Sequence, residues 1–407
     1  MTVSKRLVLY VPGFDPRDLA EHFRDFRQDY RRTCELYGLT GKVGDAAPIP
    51  DQNSAAWDIT TAGQSSGQGW QVETQFRLLR LDDIVAKDLT RPAWWKIVQI
   101  YRTTGVAMLT GAFKRILHTN WRFGIFALVP LVLITIWLFL GSFFGVLCMN
   151  LIAAMRAPPL VAKTVGVITG LGGFASLLWL TEPFSKLLLR CDQAATTEQL
   201  IENSRRDWEQ RIDALAGETI DAISGSDADE VVIVGHGLGA ILAIEVLGRA
   251  MKRDANLGKQ GPNIHGPALR LLTITANLPV VGFRPEAKDF RNMIRKLAVA
   301  QNVDWVDVQS PDDIYSFCPF DPVGGLDVVL DRGKGKNPTI MTVPLSDLRI
   351  ARNFDLRRLR PFRTHSQFLR ANERPGAAYD YHLICCGPLD LKTRATKPSE
   401  AMAFSRQ

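Results

Sequence analysis

No acidic or basic side chain occurs between Arg122 and Arg156, a run that begins Phe-Gly-Ile-Phe-Ala-Leu-Val-Pro-Leu-Val-Leu-Ile-Thr-Ile-Trp-Leu-Phe-Leu. About 20 apolar residues suffice to cross the hydrocarbon core of a bilayer. A core helix of a water-soluble domain rarely runs so long without a charge. A second apolar stretch, Thr164 to Thr181, contains Gly166, Gly170, Gly172 and Gly173, small residues that let one helix backbone approach another. The tight turn Arg156-Ala-Pro-Pro159 opens the short connection, residues 156–163, between the two. Together they predict a transmembrane hairpin, with helices at about 123–146 and 162–181.

The basic residues orient this hairpin. Arg91, Lys96, Arg102, Lys114, Arg115 and Arg122 precede it, Lys186 and Arg190 follow it, and the turn holds only Arg156 and Lys163. Positive flanks stay on the cytoplasmic side. The expectation is therefore a two-pass inner- or plasma-membrane protein with its N- and C-terminal parts both cytoplasmic. Residues 1–90 and 191–407 then share one compartment and can fold as one domain, with 91–190 inserted. Trp94 and Trp95 open the segment 93–117, in which Ile97, Ile100, Val106 and Phe113 alternate with Lys96, Arg102, Lys114 and Arg115. This predicts an interfacial helix lying on the membrane, although an ordinary surface helix carries the same amphipathicity.

Outside the insertion the pattern is α/β. Arg6–Val11 reads as a buried strand ending in Pro12-Gly13-Phe14, and Leu19, Phe23, Phe26 and Tyr30 place a helix over 16 to about 37. Residues 45–69 are rich in Gly, Ser, Gln and Asp and predict a loop or weak hairpin, followed by a strand over 71–81. A helix from Thr196 to about Ile223, strands at 230–234, 269–275 and 305–308, and a basic helix over 285–299 complete the alternation. Strands alternating with helices imply a mostly parallel sheet covered on both faces.

The net charge of +7 and the pI near 9.1 suit an anionic surface. A lipid bilayer is the expected partner; nucleic acid is not, because no zinc-finger or RNA-binding signature is present. Cys34, Cys148, Cys191, Cys318, Cys385 and Cys386 follow no ligand or disulfide spacing. They read as reduced thiols, with no metal and no cofactor expected. The N-terminus, Met-Thr-Val-Ser-Lys-Arg-Leu-Val, reads as a strand start rather than a signal peptide.

The chemistry is concentrated in Val231-Val-Ile-Val-Gly-His-Gly-Leu-Gly-Ala240. A β-branched strand runs into a glycine-rich turn and then a helical apolar pattern. Gly235-His-Gly-Leu-Gly239 resembles the Gly-x-Ser-x-Gly nucleophile elbow of lipase- and esterase-like α/β-hydrolases, with Gly237 at the serine position. The resemblance spreads over residues 6–20 and about 196–370, carried outside the elbow by layout more than by identity. It implies an α/β-hydrolase-like sheet interrupted by the transmembrane hairpin. It implies oxyanion donors at the N–H groups of Leu238 and Phe14, the latter in the place of the family's early-strand loop. It further implies an acid and then a histidine downstream.

Asp313, followed by Ile314, is the favoured acid; Asp312 adjoins it, and Asp307 lies inside a strand. A pair of loop aspartates capping a turn would look the same. His365, in Phe-Arg-Thr-His-Ser-Gln-Phe, is the favoured base. His382, in an apparent strand, reads as structural, and His236 fills the variable elbow position. His22, His118 and His265 carry no role.

Glycine offers no nucleophile, so a His–Asp pair would have nothing to activate. Ser224 and Ser226 precede the strand, and Cys318 has no elbow geometry, so none substitutes. Three functions follow as expectations: a membrane-anchored protein of hydrolase ancestry, weakly active or inactive, that acts by binding an ester or lipid ligand; an active ester or lipid hydrolase, if a serine form is the working one or an unusual mechanism applies; or a non-catalytic membrane scaffold. Substrate and oligomeric state stay open.

Overall fold

The computed structural model describes residues 2–65, 68–259, 266–330, 335–350 and 361–404. It divides into two compact units: Met1–Ala86 with Asn203–Gln407, and Lys87–Glu202.

In the first unit, β1 (Lys5–Val11) leads to α1 (Leu19–Tyr37). The Asp18 side chain caps α1 by accepting from the Glu21 N–H, and Gly38 ends it in the left-handed region. Then come β2 (Thr40–Val43), β3 (Ala47–Pro48), β4 (Ser54–Ser65) and β5 (Gln68–Leu79). The expectation of a loop or weak hairpin over 45–69 is corrected here. β4 and β5 pair antiparallel from Ser54 opposite Leu79 to Ser65 opposite Gln68. The polar composition hid a period-2 pattern in which Ala55, Trp57, Ile59 and Thr61 are buried while Asp58 is exposed. α2 (Asp82–Leu89) follows.

The second unit is helical: α3 (Ala93–Leu109), α4 (Ala112–Thr119), α5 (Trp121–Ala154), α6 (Pro159–Ser185) and α7 (Leu187–Ile201). The single interfacial helix expected over 93–117 is two helices, because Gly111 at φ 74° leaves the right-handed region. With 34 and 27 residues, α5 and α6 extend beyond the expected spans and reach about 51 and 40 Å at 1.5 Å per residue. Both are long and apolar enough to cross a membrane, and only 22% and 11% of their apolar windows are buried. A Cβ on Gly145 would come within 2.5 Å of the Gly166 carbonyl oxygen, and one on Gly141 within 2.7 Å of that of Gly170. Glycine is what lets these two backbones touch. Around this pair, Ile100, Ile134, Leu178, Leu187 and Cys191 form a core, and buried Lys96 and Asp192 make an ion pair of 2.5 Å.

The chain re-enters the first unit with α8 (Arg206–Ser224), so the single helix expected from Thr196 to Ile223 is broken; Asn203 turns at φ 51° between α7 and α8. β6 (Glu230–His236), α9 (Leu238–Arg253), β7 (Ala268–Ile274), α10 (Leu278–Gly282), α11 (Lys288–Val299) and β8 (Val303–Gln309) follow. β9 (Thr339–Thr342), α12 (Leu345–Leu348), α13 (Pro361–Ser366) and α14 (Tyr381–Cys386) come next. The sheet order is β2-β4-β5-β1-β6-β7-β8-β9, with β3 paired to β4. From β5 to β9 every neighbour is parallel, giving a mixed α/β unit with a mostly parallel sheet.

Such strands must be covered on both sides. Val8, Tyr10, Val232, Val234, Leu272 and Val306 pack with Phe26 and Tyr30 of α1 and Ile384 of α14. Their neighbours in the alternation, including Leu9, Val231, Ile233 and Leu271, are equally buried and point to the face where α9 packs on β1, β6 and β7. His382 lies in α14, not in a strand as its sequence suggested. Burial pushes its imidazole down to about 3, and its ring stands 5.2 Å from that of Phe26.

Candidate functional site

Between the last residue of β6 and the first of α9, Gly237 adopts φ 57°, ψ −118°. Side chains rarely enter this region, and glycine does so without steric cost. The flanking glycines serve close packing instead. A Cβ on Gly235 would meet the Ala240 Cα at 2.5 Å, and one on Gly239 the Gly13 nitrogen at 2.9 Å. The Pro12-Gly13-Phe14 loop is thus pressed backbone to backbone against the start of α9. Register agrees, since Val11 at the end of β1 pairs with Gly235 at the end of β6. Among the described residues, the N–H groups of Phe14 and Leu238, at the loop and at the helix start, meet no acceptor.

His365 comes from α13 and is mostly buried. Its Nδ1 lies 2.7 Å from Oδ2 of Asp313, whose side chain is wholly buried. The other carboxylate oxygen of Asp313 accepts from the Tyr315 N–H at 3.0 Å. The imidazole sits beside two rings, His236 at 4.0 Å and Tyr315 at 4.5 Å between centroids. His236 Nε2 donates to the His365 carbonyl at 3.0 Å. Burial, then the neighbouring His365, hold the His236 ring well below the usual histidine range, so it is a neutral donor. A Cβ at 237 would lie 2.6 Å from His365 Nε2, so the ring's free nitrogen faces the elbow.

The three aspartates separate by contact. Asp313 reaches His365. Asp312 instead accepts from the Leu345 N–H at 2.9 Å, at the start of α12. Asp307 stays inside β8, accepting from the Thr273 hydroxyl at 2.5 Å and the Gln309 amide at 2.7 Å. Burial pushes its carboxyl up to about 6.

The remaining candidates lie elsewhere. Ser224 ends α8 and Ser226 follows it, at the opposite end of β6 from Gly237. Cys318 belongs to the segment after Asp313. His22 stands 3.7 Å from Asp15, His118 belongs to α4 in the other unit, and His265 lies outside the described residues. None of the six cysteines forms a disulfide. Among the described residues, no three His, Cys, Asp or Glu side chains are grouped to hold a metal ion.

Two residues were missed by sequence reasoning. Thr275 places Oγ1 3.2 Å from His365 Nδ1. It does so at φ 42°, a genuine outlier for a β-branched residue and the kind of strain that collects at functional sites. Tyr315 lies tilted against the histidine ring. The available signal for Thr275 was its place just past the C-terminal end of a parallel strand, where such sheets carry their sites. No family model, curated protein or solved structure matches this chain.

Proposed function

We propose that this chain is a membrane-anchored, ligand-binding protein of α/β-hydrolase architecture, in which glycine replaces the attacking serine. The carrying observation is the 2.7 Å His365–Asp313 bond next to an elbow residue at φ 57°, ψ −118°. Elbow after β6, acid after β8 and histidine after β9 follow the hydrolase order of nucleophile, acid and base. Asp313 fixes the proton on Nδ1 and leaves Nε2 as the acceptor a nucleophile would need. Gly237 supplies no hydroxyl, so acyl transfer through the enzyme is closed. Attack by water, aided by donors at Phe14 and Leu238, would keep only the roughly 10³–10⁴-fold acceleration of a triad-less site. A site in that condition binds a carbonyl-bearing ester or lipid far better than it turns it over.

In this reading the α5–α6 hairpin is the anchor, and the excess of Lys and Arg on its flanks favours a cytoplasmic side for both soluble segments. Two experiments test these readings. Hydrolysis of short- and long-chain esters is measured for the chain and for G237S; turnover in the serine form alone is expected. Rapid turnover by the glycine form would overturn the binding role. Deleting 123–181 should release the protein from pelleted membranes, and unchanged pelleting would refute the hairpin as sole anchor.

A further inference from the structure

Beside the His365 site, two cavities of about 320 and 450 Å³ adjoin, sharing Asp29, Arg32 and Arg370. Each falls in the size range of small-molecule sites. Their linings differ. The smaller has a floor of buried Tyr10, Trp57, Phe76 and Tyr381 beneath polar walls that include Arg17, His22, Asp25 and Gln28. The larger is ringed by Arg32, Arg349, Arg363 and Arg370. α13 and the turn after it supply part of both walls through Arg363, Ser366 and Leu369, so an occupant would lie alongside His365.

Charge and hydrogen bonding select the occupant. Four arginines face two carboxylates in the larger cavity, Asp29 and Glu373, an excess of two positive charges. A phosphate monoester carries about −1.5 to −2, and arginine's planar fork matches its oxygens. At the aromatic end the floor is closed by Trp57, 3% exposed and stacked on Phe76 with ring centroids 4.6 Å apart.

We propose that this cleft binds a single-chain phosphorylated amphiphile. Its phosphate sits among Arg32, Arg349, Arg363 and Arg370, and its apolar chain runs over Tyr10, Trp57, Phe76 and Tyr381. The assignment rests on reading the chain as a ligand-binding protein and names the class of ligand.

The test uses the full chain in phosphatidylcholine nanodiscs, titrated with octyl phosphate, inorganic phosphate and octanol, with binding read by calorimetry and tryptophan fluorescence. Octyl phosphate should bind at least tenfold tighter than either of the others. R363E/R370E alters two exposed side chains and should lower that affinity at least tenfold. W57F should lose much of the fluorescence response. Equal binding of octyl phosphate and octanol, equal binding of octyl and inorganic phosphate, or wild-type affinity in R363E/R370E each overturns the proposal. R363Q/R370Q replaces that variant if charge reversal prevents folding. Esterase activity in G237S without octyl phosphate binding would sink the cleft assignment and leave the hydrolase architecture standing.

Discussion

Nε2 of His365 lies 2.6 Å from where a Cβ on Gly237 would stand. A serine hydroxyl hydrogen-bonded to a base needs about 2.6–3.2 Å between Oγ and nitrogen, which requires the Cβ to stand farther away than that. The imidazole therefore occupies space that a serine side chain would take. Its partners hold it there: Asp313 and Thr275 at Nδ1, His236 through the backbone carbonyl, and Tyr315 against the ring.

Introducing serine must move the ring and force a side chain into φ 57°. G237S should lose about 1–3 kcal/mol of stability, read as a lower denaturant midpoint. It should also become labelled covalently by a fluorophosphonate, which the glycine form resists. G237A carries the same backbone and steric penalty without the hydroxyl, so it should be destabilised and stay unlabelled. Equal labelling of G237A and G237S would show that the reagent reacts elsewhere.

Removing one carboxylate at a time distinguishes Asp313 from its neighbour. D313A leaves His365 Nδ1 without its carboxylate partner and the Tyr315 N–H without an acceptor, both in a buried setting, at a cost of about 1–3 kcal/mol. In the G237S background it should abolish fluorophosphonate labelling. D312A loses only its bond to the Leu345 N–H and should keep the labelling. Labelling that survives D313A and fails in D312A would reverse the assignment.

Two buried groups give the first unit opposite pH responses. Asp307 titrates at about 6 in the fold against 3.8 for an ordinary carboxyl, because burial disfavours its charge. Its folded form binds more protons than the unfolded form between those values, so its contribution falls as pH rises. His382, held at about 3 against 6.5, acts in reverse; the unfolded chain takes up the proton first, and stability is lost as pH falls below 6.5. Urea midpoints at pH 4.5 and 7.5 separate them. Relative to the native chain, D307N should gain about 2 kcal/mol on going from the lower pH to the higher. H382F should gain about 3 kcal/mol in the other direction. A pH-independent difference for either variant would remove that group from the account.

What could be read from the residues was whatever short-range sterics dictate. Gly235 and Gly239 announce a close approach because no side chain fits against Ala240 or Gly13. The charge-free run from Phe123 announces α5 as a long apolar helix because nothing in it interrupts the hydrophobic pattern. Order along the chain pointed to His365 and Asp313, whose side chains meet at 2.7 Å. Long-range relations were not legible. Nothing local marks Thr275 or Tyr315 as neighbours of a histidine many residues downstream. The long β4–β5 hairpin was obscured because its inward residues include Thr61 among Gly, Ser and Gln. The breaks at Gly111 and Asn203 escaped notice because one glycine or asparagine within an amphipathic pattern is tolerated as often as it is decisive.

The glycines of the hairpin provide a test in which one substitution has two outcomes. At Gly145 a Cβ would meet the Gly166 carbonyl at 2.5 Å, whereas at Gly172 it would meet nothing within 4 Å. Leucine at 145 must push α6 away from α5 along the stretch where Gly141 and Gly170 also touch. Overpacking of this kind costs about 1–3 kcal/mol. Leucine at 172 adds a side chain to an exposed helix face and relieves a poor helix former. In detergent, G145L should therefore lower the thermal midpoint of the second unit, while G172L leaves it unchanged or raises it. Equal midpoints for the two variants would mean that the α5–α6 pair does not depend on its glycine seam.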